Sequence, residues 1–552
     1  MIGTLARALR DGALGPDTDR RSSEPRERRS EGWATLLRAG LRITRALQAA
    51  RSGKPVPTRT IAGLAVAGFA LGWIVVVAGA RVQLAQTTTP LTSWFGLLLT
   101  RGRAPRDFAP GLVLWAGIVA LVLLWLAALA VLPTVRPRAV WWVGAVWSAP
   151  FALGPPLLSS DVWAYAAQGL MLRHGLDPYT AGPSALGHVA AASAVDINWR
   201  GTPTPYGPFG LALEHLAVTL SGGSPLGAVI EFRVMGVLAL AAIGVLASRL
   251  AGRQRALTLA LTVLNPLLLL TVVSAAHLDG AMCVLLLGCV LAARRQHWAM
   301  AILLACAAGS IKAPAFLAVL ALIVAHAGQH RGRRAWRHLA LDGGVALVAV
   351  MGLSLLVRHG WGWIAALTTP GEVRTPLAPA SIVATFVRHV IPVASVDDAA
   401  AGGRVAALAA AGCIGLYLLA TARNRSLGRT IGYGLLAVAL LSPVLYPWYL
   451  LGAVVLLAPA ADGVVRDWLI ALSAIACVVQ LPGQSGSEAV LLNVIVAALT
   501  VCVIAALARR RGTGSIGSTR PRALPLARVH EPTVRPPPAA VPVGTQRSGG
   551  NR

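Results

Sequence analysis

The stretch AVWWVGAVWSAPFALGPPLLSSDVWAY, residues 139–165, decides the fold. Its first part, residues 139–157, is an apolar run without any charge, and about 20 such residues suffice for a helix to cross the hydrocarbon core of a bilayer. Asp161 follows directly. A carboxylate at a membrane boundary is costly to desolvate and usually marks a function. The stretch therefore predicts a membrane helix that delivers a functional acid to one face.

The composition extends this prediction to the whole chain. Of 552 residues, 56% are hydrophobic and 13% are charged, whereas soluble domains carry about 25% charged residues. Apolar runs recur along the sequence, including 61–80 and 110–132. Because a backbone inside lipid must satisfy its own hydrogen bonds, we predict an all-α polytopic membrane protein with about 14 crossings.

The distribution of basic residues predicts the orientation. Lys and Arg, which give a net charge of +28, collect at both termini and in short loops, while the loops near 274–280, 443–449 and 481–488 have none. The positive-inside rule then places both termini in the cytoplasm and Asp161 on the outer face of the plasma membrane. This pattern argues against a nucleic-acid partner and for contact with membrane lipid.

Three regions follow from these patterns. Residues 1–59 are a basic, partly disordered cytoplasmic segment, residues 60–508 are the transmembrane catalytic domain, and residues 509–552 are a disordered basic tail. Two outer-face segments, 158–225 and 358–401, are too long for simple connectors, and long loops are usually functional. Residues 298–327 lie between basic flanks, so we predict two short helices with Ser310–Pro314 at their outward apex.

The sequence lacks the common motifs of nucleotide-binding and hydrolytic enzymes, which limits the reactions it can catalyse. The sequence has no P-loop, no glycine-rich dinucleotide motif and no soluble α/β half, and it has neither HExxH nor GxSxG. A membrane enzyme without a nucleotide fold takes its activated substrate from the lipid phase or from the far side. We therefore expect a lipid-phosphate donor, no cofactor and no metal.

Asp161 has two interpretations. The segment Ser159–Asp161 resembles a helix start, where an acid or serine caps free N–H groups. Alternatively, Asp161 is a general base that takes a proton from an acceptor hydroxyl, made more basic by its apolar surroundings. Lys312 is one of only two lysines; it is either a drifted, snorkelling side chain or a cation for a phosphate leaving group. His277 and Arg233 are further candidates for binding the donor phosphate.

Aromatic and acidic side chains complete the predicted substrate-binding set. Its members are Trp163, Tyr165, Tyr179, Trp199, Tyr206 and Asp279. Aromatic rings pack well on sugar faces, but tryptophan and tyrosine also anchor proteins at membrane interfaces. The stretch Tyr446–Tyr449, predicted to lie on an outer loop, has the same two interpretations.

Five motifs together carry a resemblance. They are SSDVWAYAAQG (159–169), HGLDPY (174–179), WRGTPTPYGP (199–208), AHLDG (276–280) and SIKAPA (310–315). In this combination the chain resembles actinobacterial, MptB-like α-(1→6)-mannosyltransferases, GT-C-type membrane glycosyltransferases that use polyprenyl-phosphate mannose and elongate the lipomannan core. The resemblance covers about residues 60–508 and implies a GT-C helical bundle with Asp161 as catalytic base.

The resemblance also implies the reaction and its partners. These are inverting transfer of mannose from polyprenyl-phosphate mannose to a mannan or lipomannan acceptor, forming α-(1→6) linkages on the outer face. Alternatives stay open at this point: a GT-C enzyme for another sugar such as arabinofuranose, a transporter or flippase of lipid-linked sugars, or an assembly partner without chemistry. A transporter predicts matching broken spans in two halves, and the sequence shows no such correspondence.

Overall fold

The computed structural model describes residues 56–86, 108–367, 396–422, 425–442 and 444–479, with Trp94 and residues 498 and 550 as isolated positions. Within these ranges the regular structure is entirely helical. The α-helices in chain order are α1 Thr58–Gln86, α2 Phe108–Val131, α3 Pro137–Leu153, α4 Asp161–Arg173, α5 Ala190–Ala194, α6 Ile197–Arg200, α7 Pro208–Leu220, α8 Pro225–Leu250, α9 Arg255–Thr262, α10 Pro266–Leu268, α11 Asp279–Arg294, α12 Trp298–Gly309, α13 Leu317–Ala327, α14 Arg333–Ser354, α15 Trp363–Ala366, α16 Val396–Ala420, α17 Leu427–Leu441, α18 Leu451–Leu457 and α19 Gly463–Val479.

Among the described residues, five helices are long and apolar enough to cross a membrane. They are Thr58–Val82, Gly111–Thr134, Pro225–Leu250, Arg333–Ser354 and Gly402–Ala420. A sixth candidate is the bent pair Gly252–Thr262 and Pro266–Ser274, which meet at 53°. These helices confirm the predicted polytopic, all-α class, while the figure of about 14 crossings remains a prediction.

Small residues bring the first and third helices close together. A Cβ atom on Gly68 of α1 would lie 2.0 Å from Nε1 of Trp147 in α3, and one on Gly72 would lie 2.9 Å from Cγ of Pro150. Trp147 in turn donates a hydrogen bond to the carbonyl of Leu64, 3.0 Å away. Membrane helices associate through such close approaches, and here they hold the helix that leads to Asp161.

The segment 158–225, predicted as a long outer loop, is instead largely helical. It contains α4, α5, α6 and α7. Helices α4 and α7 pack closely because Gly169 has no side chain: a Cβ there would lie 2.4 Å from the carbonyl oxygen of Glu214. Backbone polar groups away from water need partners, and short helices supply them within the segment. Trp199 lies in one of these helices, the short α6.

The hairpin formed by α12 and α13 matches the prediction for residues 298–327. Its turn spans Ser310–Lys312 and continues into the 3₁₀ helix Ala313–Phe316. The loop before α7 holds this turn in place, because the Gly207 N–H donates to the carbonyl of Ile311 at 3.1 Å and the Phe209 N–H to that of Ser310 at 3.0 Å. Lys312 is therefore fixed by backbone contacts between two distant segments.

Several predictions fall wholly or partly outside the described residues. They are the disorder of most of 1–59, the middle of the segment 358–401, the end of the 60–508 domain and the tail 509–552. The described part of 358–401 begins with the 3₁₀ helix Gly360–Gly362 and α15, and it ends with the start of α16. Helix α1 begins at Thr58, within two residues of the predicted boundary.

Candidate active site

Asp161 is the first residue of α4, at the end of a tight turn. The Asp161 N–H donates to the hydroxyl of Ser159 at 3.2 Å, so a serine helps to cap the helix and the carboxylate is left for other contacts. Leu158 in the same turn has a φ of 65°, a strained value of the kind that clusters at functional sites. The Asp161 side chain is 20% exposed, and burial raises its pKa from 3.8 to about 6, against the lowering effects of Lys312 and Ser159.

His277 lies beside Asp161 and comes from a segment 116 positions further along the chain. The π-helical turn Leu269–Ser274 precedes it, and Ala276 has a φ of 55°; single π-turns are frequent at functional sites. His277 Nδ1 is 3.6 Å from Asp161 Oδ2 and 3.2 Å from the hydroxyl of Tyr165. Burial and then Lys312 hold the pKa of His277 well below its ordinary value, so the imidazole beside Asp161 is neutral.

Two tyrosines fix the position of this imidazole. The hydroxyls of Tyr165 and Tyr206 are hydrogen-bonded at 2.8 Å, and the two rings pack edge to face with centroids 5.1 Å apart. Burial raises the pKa of both phenols, which keeps their hydroxyls protonated. Both residues were predicted to bind substrate, and Tyr165 is fully buried and Tyr206 nearly so. The contacts that the structure gives their hydroxyls are to each other and to His277.

Lys312 forms an ion pair with Asp279, the first residue of α11. Its Nζ is 2.8 Å from Oδ1 and 3.1 Å from Oδ2 of Asp279. The Asp279 side chain has no exposed surface, whereas that of Lys312 is 17% exposed. A direct contact of Asp279 with substrate, as predicted, would thus require Lys312 to move, and the geometry gives Asp279 the role of holding the lysine.

Three aromatic rings from residues 446–449 pack against the site. Trp448 stacks on His277 with ring centroids 4.1 Å apart, and Tyr446 stacks on Trp448 at 4.5 Å. The Lys312 ammonium lies 4.2 Å from the centroid of the Tyr449 ring, a cation–π contact. The sequence left Tyr446–Tyr449 undecided between interfacial anchoring and sugar stacking. The sequence feature that could have indicated a role in the site is the presence of three aromatic residues among these four positions.

The other four predicted site residues have different surroundings. Tyr179 packs with Leu211 in a separate small core, and Trp199 packs against the core that contains Ala167. Arg233 is buried in α8 and donates a hydrogen bond to the carbonyl of Phe151. Trp163, next to Asp161 in α4, is buried in the main core. The structure thus brings together Asp161, Tyr165, Tyr206, His277, Asp279 and Lys312 from the predicted set.

This arrangement combines a base with a nearby cation in a site of low dielectric. A carboxylate with a pKa of about 6 is ionised at neutral pH and still basic enough to accept a proton from a hydroxyl, which is the property required of a general base. Lys312 supplies positive charge that a leaving group could use. The site can therefore support displacement at a carbon that carries an anionic leaving group.

Comparisons with known proteins agree with this chemistry. Residues 65–328 match the family model for the N-terminal domain of alpha-(1→6)-mannopyranosyltransferases, and residues 378–510 match the model for the MptB C-terminal domain. The first match contains Asp161, His277 and Lys312, and the second contains Trp448 and Tyr449. No solved structure matches the chain.

Three curated relatives show the same similarity. A probable alpha-(1→6)-mannopyranosyltransferase of Mycolicibacterium smegmatis is 29% identical over 72% of this chain and 77% of its own length. Alpha-(1→6)-mannopyranosyltransferase A of Mycobacterium tuberculosis is 27% identical over 64% of this chain and 71% of its own. Alpha-(1→6)-mannopyranosyltransferase A of Corynebacterium glutamicum is 29% identical over 45% of this chain, and the match spans only about half of that relative, 54%. With two family models matched in succession, the chain belongs to the family of alpha-(1→6)-mannopyranosyltransferases.

Proposed function

We propose that this protein transfers mannose from polyprenyl-phosphate mannose to a mannan or lipomannan acceptor and forms an α-(1→6) linkage. The observation that carries the proposal is the partly exposed Asp161 carboxylate, with its raised pKa, close enough to the Lys312–Asp279 pair for both charges to affect its ionisation. The relatives' names support mannosyl transfer to position 6. The lipid-linked donor fits a chain whose described residues are mostly apolar helix.

The reaction is a single displacement. Asp161 accepts the proton of the acceptor 6-hydroxyl as that oxygen attacks the anomeric carbon, and the bond between that carbon and the phosphate oxygen breaks. The polyprenyl phosphate leaves with the bonding electron pair. Because the nucleophile enters opposite the leaving group, a β-linked donor gives an α-linked product. His277 stays neutral and, held by its hydrogen bond with Tyr165, lies 3.6 Å from the Asp161 carboxylate.

Lys312 is the cation for the departing phosphate. Its ammonium is already paired with Asp279, so the pair brings little net charge to the empty site, which lowers the cost of burial. As negative charge develops on the leaving oxygen, the exposed part of the ammonium can turn toward it, and charge that appears in the transition state is what such a group stabilises best. Arg233 keeps its predicted place as a second candidate for the phosphate, although its described contact is to a backbone carbonyl.

The distribution of arginines along α11 supports an outward-facing site. Asp279 begins this helix beside Lys312, and Arg294 ends it. Arg294 lines a cavity of about 610 Å³ with Arg253, Arg425 and Arg429. The helix separates the two ends by about 24 Å at 1.5 Å per residue. If the arginine-rich end faces the cytoplasm, as the positive-inside rule indicates, Asp161 and Lys312 face outward.

The test is transfer by the purified full chain in lipid nanodiscs. Labelled polyprenyl-phosphate mannose and a short α-(1→6) oligomannoside are supplied, and the product linkage is determined by NMR. We expect an α-(1→6) product, and about 10²- to 10⁴-fold slower transfer by Asp161→Asn, the usual contribution of a general base. Asp462→Asn, an exposed acid near the arginine cavity, is the matched control. Transfer by Asp161→Asn at the normal rate would reject the assignment, and sugar flux across proteoliposomes without transfer would favour a transporter.

A further inference from the structure

Three histidines converge at the other end of the α12–α13 hairpin. His326 lies in the last turn of α13, His330 in the following turn and His338 in α14. Their potential ligand nitrogens all lie within 4.8 Å of one another, and all three residues are half-buried. The rings of His330 and His338 stack at 4.0 Å, and those of His326 and His338 lie 4.5 Å apart. The cluster lies outside the site described above.

The spacing is close to that of a metal site. Zinc binds histidine nitrogen at about 2.0–2.1 Å in a tetrahedral arrangement, so its ligand nitrogens stand about 3.4 Å from one another. A closure of about 1.4 Å from the present upper limit of 4.8 Å would complete this geometry. Two features of the turn make this closure easy: His330 is outside any helix, and Gly332 with a φ of 56° ends the turn.

A buried acid orients the first of these ligands. Asp342 Oδ2 lies 2.7 Å from His326 Nδ1, and Asp342 is buried in α14. The indole of Trp298 stacks on the face of the same imidazole, with ring centroids 4.4 Å apart and planes 8° from parallel. A metal-binding histidine almost always donates its second N–H to a carboxylate or carbonyl, which fixes its tautomer. Here Asp342 takes Nδ1 and leaves Nε2 of His326 for a metal.

From this geometry we propose that His326, His330 and His338 bind one divalent transition-metal ion of the zinc class, with Asp342 as the positioning residue for His326. Three neutral imidazoles with a water in the fourth position form a common zinc coordination sphere. The neighbouring arginines 331, 333, 334 and 337 oppose a cation, and the Asp342 carboxylate offsets part of that repulsion. The site is thus built for a metal that imidazole binds strongly, rather than for Ca²⁺ or Mg²⁺, which prefer oxygen ligands.

The position suggests a structural role for the ion. It would join the start of α12, through Trp298 on His326, to the end of α13 and the start of α14. The 11-residue helix α13 separates this point from the Lys312 end of the hairpin, a distance of about 16 Å at 1.5 Å per residue. The metal would then brace the hairpin that carries Lys312 without taking part in sugar transfer. This inference is independent of the proposed function.

The experiment measures zinc binding to the full chain, purified with a tag that contains no histidine and treated with a chelator. Zn²⁺ is titrated in competition with a chromophoric chelator, and Co²⁺ is used in parallel because its visible absorption reports tetrahedral coordination. We expect one Zn²⁺ per chain and a higher midpoint of thermal unfolding when it is bound. The variant His330→Ala/His338→Ala should lose the site, while His174→Ala/His188→Ala, which removes two exposed histidines elsewhere, should keep it.

The variant Asp342→Asn distinguishes a specific loss of zinc binding from a loss that is caused by misfolding. It keeps all three ligands and should weaken zinc binding about 10- to 100-fold while the metal-free protein unfolds at a similar temperature. Absence of stoichiometric zinc in the unmodified chain would overturn the proposal. So would retention of the zinc and of the tetrahedral Co²⁺ absorption in the double histidine variant. A variant that fails to fold is replaced by His330→Ala alone, for which we expect the same loss of tetrahedral absorption.

Discussion

The replacement Asp161→Asn is expected to make the protein more stable while it slows transfer about 10²- to 10⁴-fold. The folded protein holds the pKa of Asp161 at about 6, against an ordinary value of 3.8, chiefly by burial. A raised pKa means that the ionised carboxylate is less favourable in the folded than in the unfolded state. The cost is absent below about pH 4, grows between pH 4 and 6 and is complete above pH 6. The neutral amide avoids this cost.

The magnitude follows from the same pKa. Each tenfold change in an acid dissociation constant corresponds to about 1.4 kcal/mol, so ionised Asp161 costs at most about 3 kcal/mol above pH 6. Part of this value is lost to solvent, because the side chain is 20% exposed. Asn also gives up the favourable interaction of a negative charge with the first turn of α4, about 0.3–1 kcal/mol. We expect a net gain of about 1–2 kcal/mol at pH 8 and none at pH 4.

Thermal unfolding in one detergent at pH 4 and pH 8 measures this difference. The Asn variant should unfold at a higher temperature than the unmodified chain at pH 8, and the two curves should approach each other at pH 4. Asp462→Asn should change both comparisons much less, because Asp462 is 68% exposed and an exposed ion pair such as that with Arg429 contributes only about 0–1 kcal/mol. An Asn variant that is less stable at pH 8 would refute the reasoning, since the acid would then be a stabilising cap and not a base held ready at a cost.

Three further outcomes are expected. The acid limb of the pH profile of kcat/KM should lie near pH 6. Lys312→Met should move this limb to higher pH, because Lys312 lowers the pKa of Asp161. An unchanged limb would mean that Lys312 does not affect the ionisation of Asp161. Gly207→Ala should reduce the free energy of unfolding by about 1–3 kcal/mol and so lower the midpoint of thermal unfolding. The reason is that its Cβ would lie 2.4 Å from a backbone oxygen of the turn that carries Lys312. Gly201→Ala, with open space around it, should not lower this midpoint. Glu214→Gln should keep or raise the midpoint at pH 8, because both carboxylate oxygens of this buried residue lack a hydrogen-bond partner in the described part of the chain; a clear decrease would indicate an ionised role.

The local features of the fold could be predicted from the sequence. The apolar runs predicted α1, α2 and α3 to within six residues, because a membrane helix is decided by its own composition. Of the three, α1 and α2 are long and apolar enough to cross a membrane, whereas the 17-residue α3 is not among the candidate spans. The two short helices and the turn at Lys312 were predicted from the basic flanks of the hairpin, and the outward direction of this turn stays a prediction. The segment 158–225 was wrongly taken for a loop, because its short helices, such as α7, fit neither a spanning length nor a simple polar loop.

The internal partners of the site could not be predicted in the same way. The hydrogen bond between Tyr165 and His277 joins residues 112 positions apart, and the ion pair of Lys312 with Asp279 joins residues 33 apart. Sequence patterns identify residue types that suit a site, but they do not say which of them will touch. The aromatic residue types of Tyr165 and Tyr206 suited substrate binding, but the sequence could not predict that their hydroxyls hydrogen-bond to each other.

The stacking of Trp448 on His277 has a consequence for biosynthesis. The base and the cation are translated long before the rings that cover them, which belong to the second matched segment, 378–510. A nascent chain of 330 residues already contains Asp161, His277 and Lys312 but not Tyr446, Trp448 and Tyr449. A chain truncated before residue 446 would therefore lack the rings that stack on His277 and contact Lys312.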